Sequence, residues 1–221
     1  MSNYFFGFGK REAGIAKIEG KNLQLFLLVS SSRRSLWYHS STMILLVGAS
    51  ASGKTEIAKY LQSHYGIKKV VTHTTRAMRC GETQDVDYHF VTQDEFSHLK
   101  AKNAFVETTN YNGNEYGSSK AEVADDKVLI VDPTGLQAFI KLNNPRIITF
   151  FLDAKEETRR QRMAQRGDGK NAIESRIEND RKEFDLSRIG NPDFILSTDT
   201  KSVEELANEI LNLYKQKLNL L

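Results

Sequence analysis

The sequence predicts an α/β fold in which one parallel sheet lies between two layers of helices. Short apolar runs suited to buried strands alternate with segments of helical period, first over residues 43–71 and again from residue 127 onwards. The first apolar run leads directly into a glycine-bearing loop and then into a helical segment. With 221 residues, 39% of them hydrophobic, the chain can bury one core with inserted lobes but is short for two independent domains.

Each element of the core follows from its periodicity, because strands require short apolar runs and helices require apolar residues three and four apart. The core comprises residues 43–71 and 119–221. We expect strands at residues 43–47, 68–71, 127–131, 147–152 and 194–196, and helices up to residue 65, after residue 134, and at residues 156–165, 172–186 and 203–218.

Residues 72–118 interrupt the alternation and predict a small inserted α+β lobe. Apolar and aromatic runs indicate strands at residues 86–91 and 104–108, and the segment between them indicates a helix at residues 94–100. Asn112-Gly113 is a typical hairpin turn, because both residues accept positive φ angles.

A polar, glycine-bearing connection at residues 166–171 joins the two long helices of the second half. Such a connection suits a mobile lid, which we expect at about residues 163–178. Closure of a lid would exclude water from the site beneath it.

Residues 1–42 differ from the rest in composition. They carry six basic residues against two acidic ones, whereas the remainder carries 25 basic and 26 acidic residues. Their apolar run at residues 25–29 is far too short to span a membrane. We expect this extension to be disordered or not native, with the functional chain beginning at Met43 or close to it; a cleaved targeting peptide is the main alternative.

Residues 48–55 match the phosphate-binding pattern G-x-x-x-x-G-K-[ST] between a predicted strand and a predicted helix. Glycines let backbone N–H groups turn toward phosphate oxygens, and the helix N-terminus adds its positive end. The lysine would reach the outer phosphates of ATP, and the threonine hydroxyl would bind Mg²⁺. The expected ATP-binding residues are Gly48, Ala49, Ser50, Ala51, Ser52, Gly53, Lys54 and Thr55.

Charge and cysteine content restrict the partners. The body of the chain is close to neutral, which argues against a nucleic-acid-binding surface and leaves small molecules as the expected partners. Cys80 is the only cysteine, so no internal disulfide can form. A protein that binds ATP without disulfides is expected in the reducing cytoplasm, away from membranes.

A second candidate phosphate site follows the predicted strand at residues 68–71. Arg76 and Arg79 lie three residues apart, and two planar guanidinium groups can fork onto one phosphate. A solvated basic loop would show the same spacing, so the two arginines alone leave both interpretations open.

The motifs of the lobe resemble those of the guanylate kinase family. Thr-Thr-Arg-x-x-Arg-x-Gly-Glu at residues 74–82 is followed by Asp-Tyr-x-Phe, then Phe-Val-Glu, then Asn-Glu-Tyr-Gly-Ser at residues 114–118, in the order and spacing of that family. The resemblance covers residues 43–215 and implies a P-loop NTPase-type fold. It also implies that Arg76, Arg79, Tyr88 and Tyr116 hold the phosphate of GMP, and that Thr72, Glu107, Ser118 and Asp132 hold its guanine.

Two of these acids have a separate chemical rationale. Guanine presents N1–H and its 2-amino group side by side, so the carboxylate of Glu107 can accept from both. Asp132 ends a predicted strand at the edge where substrate or Mg²⁺ would bind, although it could equally be the N-cap of the next helix.

Arginines flank the expected lid. The resemblance implies that Arg162, Arg166 and Arg176 reach the transferring phosphates or the adenine of ATP. With Lys54 and Arg76 they form the expected catalytic set. Arg159 and Arg160 are instead expected on a solvated helix face.

The expected reaction is transfer of the γ-phosphoryl group of ATP to GMP, and to dGMP, with Mg²⁺ as cofactor. The chain departs from the family at Ile130, where an acid is usual, and at Met78 and Ser197. Two alternatives remain: a kinase of similar fold acting on another phosphorylated small molecule such as a ribose phosphate, which Ile130 favours, and a non-catalytic binding module, which the intact Lys54 and Thr55 disfavour.

Overall fold

The computed structural model describes residues 42–123, 126–185 and 189–220. The expected N-terminal extension, apart from Thr42, lies outside these residues. The described elements, in chain order, are β1 (Met43–Val47), α1 (Lys54–Tyr65), β2 (Lys68–Lys69), β3 (His73–Thr74), β4 (His89–Phe90), α2 (Gln93–Ala101), β5 (Phe105–Tyr111), β6 (Asn114–Ser119), β7 (Lys127–Val131), α3 (Pro133–Ile140), β8 (Ile147–Asp153), α4 (Glu156–Gln165), α5 (Lys170–Glu183), β9 (Phe194–Ser197) and α6 (Val203–Asn219).

The core sheet is parallel throughout, in the order β2-β7-β1-β8-β9. All five residues of β1 are buried, as expected for a central strand covered on both faces. Ile44 and Leu46 pack into one cluster with α1 and α6, while α3 contacts the sheet through β1 and β7. The predicted α/β architecture is therefore confirmed.

The lobe contains a second sheet in the order β4-β3-β6-β5. Strands β5 and β6 pair antiparallel around Asn112 and Gly113, both at positive φ, so the predicted hairpin turn is confirmed. The register shifts between Phe105 and Glu107, which is a bulge that sets Glu107 opposite Ser118.

Some predicted boundaries are wrong. The strand expected at residues 86–91 is reduced to β4, because the Asp87 carboxylate accepts the backbone N–H of Thr83 at 2.8 Å and holds the preceding residues in a turn. Helix α5 begins at Lys170, so the connection to α4 is shorter than the expected residues 166–171. No helix in the described part of the chain is long and apolar enough to cross a membrane.

Candidate active site

The phosphate loop follows β1 and ends at the N-terminus of α1. A Cβ atom on Gly48 would lie 2.5 Å from the carbonyl oxygen of Leu152, so only glycine fits beside β8. Gly53 caps α1 at φ 98°, a conformation that disfavours other residues. The first intrahelical bond runs from Ile57 N–H to the carbonyl of Gly53, which leaves the earlier N–H groups of α1 without intrahelical acceptors and suited to an anion.

Lys54 bends back over its own loop. Its ammonium donates to the carbonyl oxygens of Gly48 at 2.5 Å and Ala49 at 2.8 Å. The pKa of Lys54 is lowered from 10.5 to about 8, mainly by burial; the Asp180 carboxylate opposes this change, and nearby guanidinium groups add to it. A bound phosphate would stabilise the charged form.

A single cleft joins the phosphate loop to the lobe. It is lined by five residues of the loop, by all eight residues expected to bind GMP, and by two of the three expected lid arginines. The predicted residues on its wall are Gly48, Ser50, Ala51, Lys54, Thr55, Thr72, Arg76, Arg79, Tyr88, Glu107, Tyr116, Ser118, Asp132, Arg166 and Arg176.

Arg76 is held in place before any ligand arrives. Its two terminal nitrogens bind both carboxylate oxygens of Glu82, at 2.8 and 3.0 Å, and its guanidinium lies 5.2 Å from the ring centre of Tyr88. Glu82 also accepts the backbone N–H of Arg79. Burial, followed by the charges of Arg76, Arg176 and Arg166, lowers the pKa of Arg79. Like charges therefore converge on the cleft, and an anion there would relieve their repulsion.

The three arginines of the expected lid line two cavities. Arg166 and Arg176 line the main cleft and both pair with the carboxylate of Asp168, Arg176 at 2.6 Å. Arg162 lines a second cavity beside the loop, which Arg166 also lines, and it donates to the carbonyl oxygens of Thr198 at 2.6 Å and Ala51 at 3.2 Å. The sequence does not separate Arg162 from the other two, and it does not single out Asp168.

The far end of the cleft holds a half-buried acid, Glu107. Both the backbone N–H and the hydroxyl of Ser118 donate to Oε1 of Glu107, at 3.1 and 2.6 Å, which fixes the orientation of the carboxylate. Burial raises the pKa of Glu107 from 4.5 to about 7; the Ser118 hydrogen bonds oppose this shift and the Asp132 charge adds to it. A ligand that donates hydrogen bonds would favour the ionised form.

Asp132 caps α3, the second of the two roles left open above. Its Oδ1 accepts the Gly135 N–H at 2.8 Å, and its Oδ2 accepts the hydroxyl of Thr109 at 2.5 Å. Beside it, Ile130 lines the cleft where an acid is usual in the family. The sequence gives no sign of the Thr109 contact, which depends on how the lobe packs on the core.

The described residues suit Mg²⁺ only as a partner of bound phosphate. None of their His, Cys, Asp and Glu side chains form a group of three or more that could hold a metal ion. Thr55 is exposed at the first turn of α1 and lines the same cleft as Asp132. A hydroxyl and a carboxylate in one cleft fit Mg²⁺, since this ion usually takes its remaining oxygens from nucleotide phosphates and water.

The expectation for Arg159 is wrong. Arg159 is 6% exposed and pairs at 2.6 Å with Asp180, which is 1% exposed. Arg160, by contrast, lies at the surface and pairs with Glu156 and Glu174, as a solvated arginine would. Helical spacing alone does not show that α5 brings a carboxylate to the inner face of α4.

Together, the parallel sheet, the phosphate loop before its first helix and the arginine-lined cleft define a P-loop NTPase-type protein. The guanylate kinase family model matches residues 40–216. A guanylate kinase from Neisseria gonorrhoeae is 30% identical over 184 residues, covering 80% of this chain and 88% of the relative. One from Schizosaccharomyces pombe is 34% identical over 167 residues, covering 71% and 82%. The chain belongs to the guanylate kinase family.

A solved structure agrees with this assignment at the level of fold. The crystal structure of guanylate kinase from Anaplasma phagocytophilum matches with a TM-score of 0.62 and 23% identity, covering 80% of this chain and 86% of that one. At this identity the comparison establishes a shared architecture.

Proposed function

We propose that the protein transfers the γ-phosphoryl group of ATP to the phosphate of GMP, giving ADP and GDP, and that it also accepts dGMP. One observation carries the proposal: Lys54 of the phosphate loop and the Glu107–Ser118 pair line the same cleft, and arginines line it with them. A triphosphate, an acceptor phosphate and a guanine base would each meet matching groups there. Membership of the family supports the same reaction.

Recognition of guanine is assigned to Glu107, with Thr72, Ser118 and Asp132 around the base. The hydrogen bonds from Ser118 hold the carboxylate before the base arrives, so little ordering remains to be done on binding. Adenine has an acceptor at N1 and no 2-amino group, so AMP would bring no donor to Glu107, whose carboxylate would keep only the hydrogen bonds from Ser118.

The acceptor phosphate is assigned to Arg76, Arg79, Tyr88 and Tyr116. Glu82 fixes the position of the Arg76 guanidinium through hydrogen bonds. The positive charges of the neighbouring arginines favour binding of an anion beside them. A phosphate monoester with a second pKa near 6 is mostly dianionic at neutral pH, so the acceptor needs no general base.

Transfer itself requires alignment and charge stabilisation. The N–H groups of residues 48–55 would hold ATP, and Lys54 would exchange the carbonyls of Gly48 and Ala49 for phosphate oxygens. Arg166 and Arg176 would exchange Asp168 for the transferring group, while Arg162 would contact ATP from the second cavity beside the loop. Mg²⁺, held by Thr55 and the phosphates, would supply further positive charge. We place the reaction in the cytoplasm, where ATP is available.

An ADP-production assay with GMP, dGMP, AMP and ribose 5-phosphate as acceptors tests the proposal. We expect turnover with GMP and dGMP, and at most trace turnover with AMP. Faster turnover of ribose 5-phosphate would contradict guanine recognition. Tight GMP binding without ADP release in the presence of ATP and Mg²⁺ would indicate a binding module.

A further inference from the structure

Asp180, on helix α5, is a fully engaged buried carboxylate. Its Oδ2 accepts the backbone N–H of Ser50 at 3.0 Å and Nη1 of Arg159 at 2.6 Å. Its Oδ1 accepts the hydroxyl of Ser50 at 3.1 Å and the hydroxyl of Tyr111. Each carboxylate oxygen thus accepts two hydrogen bonds, which uses its ordinary acceptor capacity.

The donors come from three separate parts of the fold. Ser50 belongs to the phosphate loop, Tyr111 ends strand β5 of the lobe, and Arg159 lies on α4, before the expected lid. Asp180 itself follows the lid on α5. One side chain therefore connects the loop that would hold ATP, the lobe that would hold GMP and both helices that flank the lid.

Stability alone gives a weak reason for this arrangement. Removing two charges from water is costly, and replacing a buried ion pair by apolar residues of similar size is often neutral or stabilising. Such a pair instead contributes geometry. A carboxylate that accepts several hydrogen bonds fixes the relative positions of the chain segments that carry the donors.

Strand β5 connects Tyr111, and through it Asp180, to the cleft. Side chains two residues apart face the same side of a strand, and Glu107, Thr109 and Tyr111 all line the cleft. At about 3.3 Å per residue, the strand spans roughly 13 Å from the acid at the base end to Tyr111 at the loop end. Burial, and then the charge and hydrogen bond of Asp180, raise the pKa of Tyr111, so its hydroxyl stays protonated and remains a donor.

We propose that Asp180 is a positioning residue for phosphoryl transfer, which couples Ser50 of the phosphate loop to Tyr111 at the end of β5. Its role is to hold the loop and the lobe at the separation that aligns the acceptor phosphate with the γ-phosphoryl group. The inference rests on the proposed function. Loss of the coupling should reduce kcat more than it raises KM for either substrate, because each half-site keeps its own contacts.

The first test is Tyr111→Phe, with Tyr65→Phe as its matched control. Both changes delete a hydrogen-bonded tyrosine hydroxyl, but the hydroxyl of Tyr65 donates to Asn208, between α1 and α6 and away from the cleft. We expect kcat to fall about tenfold in Tyr111→Phe, the effect of one hydrogen bond to a charged group, with KM for GMP changed less than threefold. Tyr65→Phe should match the wild type.

The second test separates position from stability. Asp180→Leu leaves Arg159 buried without a counter-charge, so both the melting temperature and kcat should fall. The double variant Arg159→Leu/Asp180→Leu removes both charges and should recover most of the melting temperature. We expect its kcat to stay at least about tenfold below the wild type, because Ser50 and Tyr111 still lack their common acceptor.

A structural role predicts the opposite pattern. If the double variant regains both stability and kcat, or if Tyr111→Phe behaves like Tyr65→Phe, the positioning role is overturned. The ADP-production assay is first run on the wild-type protein, so that a failure to phosphorylate GMP is distinguished from a failure of the positioning role. Should another acceptor prove to be the substrate, the same variants measured with that acceptor decide the role of Asp180.

Discussion

The phosphate loop and the opposite end of the cleft, the proposed base end at Glu107, are built in different ways, although each contains a half-buried ionisable side chain. Lys54 is held by carbonyl oxygens of its own loop, a few residues earlier in the chain. Glu107 is held by Ser118 on the neighbouring strand, and a bulge is needed to bring the two opposite each other. A short motif therefore specifies one end of the cleft, whereas the other end exists only once a hairpin has formed.

The two ends share one electrostatic property. Burial lowers the pKa of Lys54 to about 8 and raises the pKa of Glu107 to about 7, so at both ends burial shifts the protonation equilibrium toward the neutral form. A phosphate at one end and a hydrogen-bond donor at the other would shift both equilibria back toward the charged forms. The following predictions test this contrast.

The largest effect is expected at the loop end, from Lys54→Ala. Loss of a group that stabilises transition-state charge should lower kcat by about 1,000-fold. The melting temperature should change little, because Lys54 contacts only its own loop. Lys59→Ala, an exposed lysine of the same helix, is the control and should retain activity. Near-normal turnover of Lys54→Ala would refute the kinase mechanism.

A smaller but more selective effect is expected at the base end, from Glu107→Ala. Removing a charged acceptor that pairs with two donors should lower kcat/KM for GMP by about 100-fold. The KM for ATP should be unchanged, since the phosphate loop is untouched. The ratio of GMP to AMP turnover is the measurement; an unchanged ratio would exclude Glu107 from base recognition.

Between the two ends, Arg76→Lys should raise KM for GMP about tenfold, the effect of losing one charge-assisted hydrogen bond. Lysine retains the charge but cannot reproduce the two parallel bonds that Arg76 makes with Glu82, or a similar pair with phosphate. Arg160→Lys, at a half-buried arginine that pairs with Glu156 away from the cleft, is the control. Equal GMP dependence in both variants would remove Arg76 from the phosphate site.

The smallest effect is a pH dependence of GMP binding. In the proposed recognition, guanine binds the ionised form of Glu107, so binding should release a proton and affinity should rise with pH through about 7. Between pH 6.5 and 7.5 the ionised fraction, and hence the affinity, should increase about threefold. Titration of the GMP phosphate, with a pKa near 6, contributes only about 1.3-fold.

Isothermal titration calorimetry of GMP binding to the wild type and to Glu107→Gln, at both pH values, separates these two contributions. The variant should keep only the small change due to the phosphate. If it shows the same threefold rise, the titrating group lies elsewhere. At the loop end the sign is reversed, because Lys54 loses its proton above pH of about 8 and ATP affinity should then decline.

Most of the cleft could be predicted from the sequence. The P-loop NTPase-type fold and membership of the guanylate kinase family are both confirmed. The expected GMP-binding residues all line one cleft with Lys54, although their individual roles stay predictions. The short strands of the lobe were harder to predict, because β3 and β4 have only two residues each and carry no periodic signal.

The sequence by itself determined what local chemistry can specify: the glycines and the lysine of the phosphate loop, the Asn112-Gly113 turn and the alternation of strand and helix. Only the tertiary structure decided that Arg159 is buried, that Asp132 accepts from Thr109, and that Ser50, Tyr111 and Asp180 meet. The physical reason is distance along the chain. Asp180 and Ser50 are separated by 130 residues, and no periodicity encodes which buried charge will find which donor.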